Sequence, residues 1–142
     1  MKKVDLGYLA GIMDGEGCIT ILEMKNRRKR TWRVHVTIAN TNEWLLKWVQ
    51  FYSGLGGIYK MGRGGKGNEK PSWQWRVSDR PAGDFLRMIL PYLKIKKPQA
   101  EIALRFQDRM TANYHQDRTN EQIVLDEADS ILIRSYNKRG IL

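Results

Sequence analysis

Leu9-Ala10-Gly11-Ile12-Met13-Asp14-Gly15-Glu16-Gly17-Cys18-Ile19-Thr20-Ile21-Leu22 is the stretch whose reading decides the fold. Its first part reads as a helix packed through small residues, and its end as a strand of period two. Two carboxylates, Asp14 and Glu16, stand near the junction with one glycine between them. A helix C-terminus is the negative end of the macrodipole and repels carboxylates. Acids placed there need a partner, and a divalent metal ion is the simplest one. Upstream, Asp5 is suited to cap this helix, which is expected to run through Met13. Gly7 and Gly11 lie four apart and share one helix face. Each glycine costs about 1 kcal/mol relative to alanine in a helix. Close approach of another backbone offsets that cost. The same helix of a second copy, meeting at Gly7 and Gly11, is one candidate, and a sheet of the same chain is the other.

Working outward, Cys18 to Leu22 is followed by a cationic turn around Asn26, with Lys25, Arg27, Arg28, Lys29 and Arg30. Trp32, Val34, Val36 and Ile38 then alternate with Arg33, His35, Thr37 and Ala39. The spacing predicts a long hairpin with one apolar face and one polar, basic face. Asn42 is suited to cap a helix to about Tyr52 that buries Trp44, Leu45, Trp48 and Val49. Residues 54–67 are rich in glycine, with Lys60, Arg63 and Lys66 among them, and enclose a short strand, Ile58 to Met61. Trp73, Trp75 and Val77 alternate with Ser72, Gln74, Arg76 and Ser78 as a fourth strand. Asp79-Arg80-Pro81 opens a helix that ends near Leu90-Pro91, and Pro98 opens another to about Arg109. Thr119-Asn120-Glu121-Gln122 is a capping box before a last helix to about Lys138, with Gly140 beyond it.

The order αββαββα, with further helices after it, predicts an α+β fold: a four-stranded antiparallel, saddle-shaped sheet with helices on one face. Residues 1–142 read as one domain, with 110–142 as a helical extension. The other sheet face is expected to carry Arg33, His35, Thr37, Lys60, Gln74 and Arg76. A β-ribbon fits the DNA major groove, and long polar side chains reach base edges there. A merely solvated face is the plainer alternative.

Twenty-five Lys and Arg against fifteen Asp and Glu in 142 residues leave a net charge of +10. A polyanionic partner explains that excess, and nucleic acid ranks above a membrane. No apolar stretch approaches the roughly 18–20 residues that span a bilayer. Met1-Lys2-Lys3 is basic, but the acidic residue that follows does not suit a signal peptide. The single cysteine, Cys18, excludes an internal disulfide and a Cys-based zinc cluster, so an intracellular protein is expected. His35 reads as a nucleic-acid contact and His115 as surface. The tryptophans follow the apolar faces and read as core.

Leu9 to Gly17 resembles the LAGLIDADG motif of homing endonucleases, with Ile12, Met13, Gly15 and Glu16 as variants. The stretch Leu90 to Ala100 is similar to the family's segment that supplies a catalytic lysine, with Lys96 as the best match and Lys94 and Lys97 beside it. The likeness runs from about Leu6 to Gln107. A single motif resembles the homodimeric class, which implies a near-palindromic duplex DNA target. The resemblance implies metal-dependent phosphodiester hydrolysis with Mg²⁺, a site that Mn²⁺ or Ca²⁺ can also occupy. Glu16, with the Gly15 carbonyl, would bind the metal. The paired motif helices would pack through Gly7, Ala10 and Gly11, and Asp14 would steady the helix ends of the dimer. Asn42 falls where the family often carries Gln, although a plain helix cap explains it as well. DNA contacts would come from Thr20, Lys25, Arg27, Arg28, Lys29, Arg30, Arg33, His35, Thr37, Lys60, Arg63, Gln74 and Arg76. Two other functions fit the same fold: a maturase that binds intron RNA, and a DNA-binding regulator without cleavage. Glu16 and Lys96 together argue against the regulator, which has no need of them.

Overall fold

A computed structural model of the chain describes residues 2–25, 27–62 and 70–139. Helix α1 (Lys3–Glu16) leads directly into strand β1 (Gly17–Glu23), as the opening stretch predicts. β2 (Trp32–Asn40), α2 (Glu43–Ser53), β3 (Gly57–Met61) and β4 (Ser72–Ser78) follow. Then come α3 (Asp79–Ile89), a 3₁₀ turn (Leu90–Tyr92), α4 (Lys97–Ala112) and α5 (Asn120–Arg139). The four strands form one antiparallel sheet in the order β1-β2-β4-β3. The fold is α+β.

Alternation sorts the two sheet faces. Ile19, Ile21, Trp32, Val34, Val36, Ile38, Trp75 and Val77 are buried on the helical side. They pack with Leu9, Ala10 and Met13 of α1, Leu46 and Val49 of α2, and the apolar faces of α3 and α4. Asp79 opens α3 with φ 58, a left-handed conformation that non-glycine residues adopt at a cost. Its carboxylate is fixed by Arg33 at 2.5 Å. Gly17, where helix becomes strand, has no room for a side chain: a Cβ would meet the Met13 sulfur and would stand 2.9 Å from the Met13 carbonyl.

Four local expectations are corrected. Asp5 is not the cap of α1, because the helix begins at Lys3 and places Asp5 within its first turn. There its charge faces the positive dipole end. Asn42 precedes α2 but makes no side-chain cap bond. Trp44 is 66% exposed, because the buried stripe of α2 runs through Leu46 and Val49. Lys60 pairs with Trp73, whose face is the helical one, so it does not belong to the open face. Tyr59, paired with Gln74, takes that place. Asn26, Arg63, Lys66 and Gly140 lie outside the described residues.

The Thr119 box forms as its spacing predicts: the Gln122 N–H donates to Thr119 Oγ1 at 3.2 Å, and the Thr119 N–H to Gln122 Oε1 at 2.9 Å. α5 then covers the outer edge of β1. Ser130 Oγ donates to the Ile21 carbonyl at 3.1 Å, and Asn137 Nδ2 to the Ile19 carbonyl at 3.0 Å. An uncovered strand edge is a template for pairing with other chains, and these side chains close it. Arg109 and Arg118 hold the buried Asp126, and Arg109 also reaches Asp129. Among the described residues no helix is long and apolar enough to cross a membrane.

Candidate active site and nucleic-acid face

The end of α1 meets the segment between the 3₁₀ turn and α4. Met13 is fully buried there and anchors the helix, and Asp14 turns inward, 9% exposed. Its carboxylate accepts three consecutive backbone N–H groups, from Lys94 at 2.9 Å, Ile95 at 3.2 Å and Lys96 at 2.9 Å. Successive N–H groups converging on one anion neutralise its charge without any cation. In return the Lys96 ammonium donates to the Asp14 main-chain carbonyl at 2.7 Å. The last carbonyls of a helix lack partners within it, and a cation is favoured there.

Glu16 is exposed at the same helix end, as is Gly15. Asn40, the last residue of β2, donates from Nδ2 to Glu16 Oε2. Its Oδ1 accepts the Asn42 N–H at 2.7 Å. Asn40 is the residue that sequence reasoning missed. It extends the core-facing stripe of Val34, Val36 and Ile38, so parity directs it toward α1. Asn42 is joined to the site through its backbone, and its side chain is exposed. Cys18 begins the open face of β1; desolvation pushes its thiol up, against the opposing pull of the Lys96 ammonium.

Two seam residues are reassigned. Ala10 is fully buried in its own chain, so it faces the core and not a second copy. Asp14 commits its carboxylate to its own backbone. Gly7, Gly11 and Gly15 face open space, where an added Cβ would meet nothing within 4 Å. They recur every four residues and form one smooth stripe, with exposed Val4 and Tyr8 on the same helix.

The open sheet face carries most of the polar residues expected of it. Thr20 stands opposite His35, and His35 opposite Ser78; Thr37 stands opposite Arg76, and Ala39 opposite Gln74. His35 Nδ1 and Ser78 Oγ share a hydrogen bond of 2.9 Å. Desolvation, then the Arg33 and Arg76 charges, hold the His35 pKa below its ordinary value, with Asp79 opposing. Arg76 stacks on Tyr59 at 4.5 Å and donates to Gln74. Lys25, Arg27, Arg28 and Lys29 are exposed at the hairpin tip. Arg30 differs from them. It pairs with Glu23 and Glu127 and covers the Trp32 ring at 4.9 Å, so it is tied to the helical side. Among the described residues, no group of three or more His, Cys, Asp or Glu side chains forms a metal-ligating cluster.

A family model described as LAGLIDADG endonuclease matches residues 9–112, from the acidic helix through α4. The chain belongs to that family. No curated protein matches it by sequence. Among solved structures, the homing endonuclease I-CvuI in complex with the I-CreI target is similar at TM-score 0.72 and 20% identity, covering 96% of this chain and 94% of that one. The archaeal intron-encoded homing endonuclease I-Vdi141I, complexed with DNA, is similar at TM-score 0.78 and 15% identity, covering 96% and 86%. I-SmaMI, a LAGLIDADG homing endonuclease bound to cleaved DNA, matches at TM-score 0.67 and 16% identity; there 96% of this chain covers 48% of that one. The likeness to these structures is one of fold.

Proposed function

We propose that this LAGLIDADG chain is a site-specific endonuclease of double-stranded DNA, acting inside the cell as a homodimer of single domains. The observation that carries the reading is the shared helix end of α1. It presents an exposed carboxylate, Glu16, oriented by Asn40, beside an ammonium, Lys96, anchored on the Asp14 carbonyl. A ligand acid and a cation for a phosphate thus sit at the end of one element, next to a basic sheet face. The smooth Gly7, Gly11 and Gly15 stripe supports pairing of two such helices, which brings two acidic ends together across a two-fold axis. I-CvuI has been solved on the I-CreI target in magnesium, with the DNA not cleaved, and on its own target in calcium, which supports a hard divalent ion for this chain as well.

The donor set fits such an ion. Glu16 and the Gly15 carbonyl offer oxygen only, the ligand type that Mg²⁺, Mn²⁺ and Ca²⁺ take. A divalent ion bound there would neutralise charge at the scissile phosphate and make its water a better nucleophile. The residues of the chain do the rest. Asn40 fixes the Glu16 carboxylate by donating to one oxygen and leaving the other free. Lys96 places an ammonium at the helix end, where it offers charge to a phosphate oxygen. Thr20, Arg33, His35, Thr37, Gln74 and Arg76 face the groove, and the hairpin-tip cations hold the flanking backbone.

The test is cleavage of a library of duplexes in Mg²⁺, followed by Glu16→Gln on the selected target. The variant is expected to bind that duplex and cut it at least about 100-fold more slowly, the scale of losing a central electrostatic group. Cutting at the wild-type rate would overturn the assignment of Glu16.

A further inference from the structure

A cavity of about 770 Å³ opens at the far end of the sheet from the acidic helix end, between the hairpin, the start of α3 and the end of α4. Four arginines line it, Arg27, Arg33, Arg80 and Arg118, against one carboxylate, Asp79. Arg118 is 9% exposed, and its Nε and Nη2 are taken by Asp126. Its Nη1 is buried with no hydrogen-bond partner among the described residues, and so is Nε of Arg33. A buried, unpaired N–H of a charged group is costly, so a structure keeps it for a ligand or leaves it strained. Both residues belong to the cavity wall. The N-terminus of α3 lies in the same wall, at Asp79 to Pro81, and adds its positive dipole end. Apart from the Asp79 carboxylate, these features favour an anion.

The rest of the lining is mixed, with Thr31, Gln107, Thr111, Asn113 and Gln116 beside apolar side chains. Trp32, Phe106 and Met110 contribute to it, and Tyr114, 68% exposed, stands at the wall with the Arg80 guanidinium 4.9 Å from its ring. The space far exceeds an inorganic anion and lies within the roughly 300–1,000 Å³ of small-molecule sites. We infer that this cavity binds a phosphate monoester carrying an aromatic ring, that is, a mononucleotide, with the phosphate on Arg80 and Arg118 and the ring beside Tyr114. It is a separate site from the acidic end of α1, although Arg27 and Arg33 of its lining also belong to the basic face proposed to meet DNA.

The probes are AMP, inorganic phosphate and adenosine, titrated calorimetrically into the full chain with and without a bound duplex. AMP is expected to bind saturably, phosphate more weakly, and adenosine not detectably below about 1 mM. Arg80→Gln changes an exposed side chain and is expected to weaken AMP about tenfold, the loss of one charge-assisted contact. Thr111→Trp, which fills the cavity from its exposed wall, is expected to abolish AMP binding with unchanged circular dichroism. Persistence of AMP binding in the DNA complex supports a separate site. Absence of saturable AMP binding, equal affinity in both variants, or displacement of AMP by the duplex overturns the proposal.

Discussion

Asp14 and Lys96 hold each other in both directions: the Asp14 carboxylate accepts the Lys96 N–H at 2.9 Å, and the Lys96 ammonium donates to the Asp14 carbonyl at 2.7 Å. The acid is structural, and its product is the position of the lysine. A carboxylate that ties down residues 94–96 also sets where α4 begins, because Lys96 is the residue just before that helix.

Asp14→Ala removes the acceptor of three backbone N–H groups at once. The expected loss is on the order of 3 kcal/mol or more, since hydrogen bonds to a charged group contribute about 1.5–3 kcal/mol each and are not additive. Asp14→Asn keeps one acceptor oxygen and is expected to lose less. Urea denaturation of both variants checks the order.

Lys96→Met removes the cation that lowers the Cys18 thiol, while the desolvation that raises it stays. The thiol pKa therefore moves further up in the variant. The rate of Cys18 alkylation against pH reads this directly, and a downward move or none contradicts the placement of Lys96.

Gly11→Leu separates the two readings of the α1 stripe. Within one chain nothing stands within 4 Å of an added Cβ, and leucine favours a helix over glycine by up to about 1 kcal/mol. The variant is thus expected to fold at least as stably while sedimenting as a monomer. A dimer that survives Gly11→Leu moves the seam elsewhere.

His35 predicts a pH effect of defined sign. Its folded pKa lies below the ordinary 6.5, so the folded state binds fewer protons than the unfolded chain just below that pH. Its contribution to stability is complete above about pH 6.5. It is lost as the pH falls through the folded value. Urea midpoints of the wild type and His35→Gln, compared from pH 8 to pH 5, should converge toward the acid end.

Arg109→Met strips one guanidinium from both Asp126 and Asp129, which are 1% and 6% exposed. Removing one partner of a buried ion pair typically costs about 3–5 kcal/mol. Thermal and urea unfolding measure it. A loss below about 1 kcal/mol, the range of exposed pairs, would show that Arg118 on Asp126 and Arg105 on Asp129 suffice.

Sequence made the central strands legible, because β2 and β4 alternate without a fault and each has a buried face. It was weaker at the edges. In β3, Lys60 was placed by its charge; yet Ile58 and Lys60 share a face by parity, and Ile58 belongs to the helical side. Ala10 and Gly11 are adjacent small residues with opposite fates, since about 100° of helix rotation separates core from open space. Asn40 was hidden by Asn42, which stands where a helix cap is expected. The parity of β2, continued one step beyond Ile38, would have singled it out. The duty of Asp14 was out of reach, because its partners are backbone groups some eighty residues away that carry no side-chain signature.

The grip on residues 94–96 has an evolutionary consequence. Asp14 reads N–H groups, which every residue except proline provides. The side chains of Lys94 and Ile95 are exposed. Both positions are therefore free to drift through nearly any residue type while the clamp persists. Descendants of this chain can renew the surface around the lysine, and with it whatever that surface meets, without relearning how to place the ammonium.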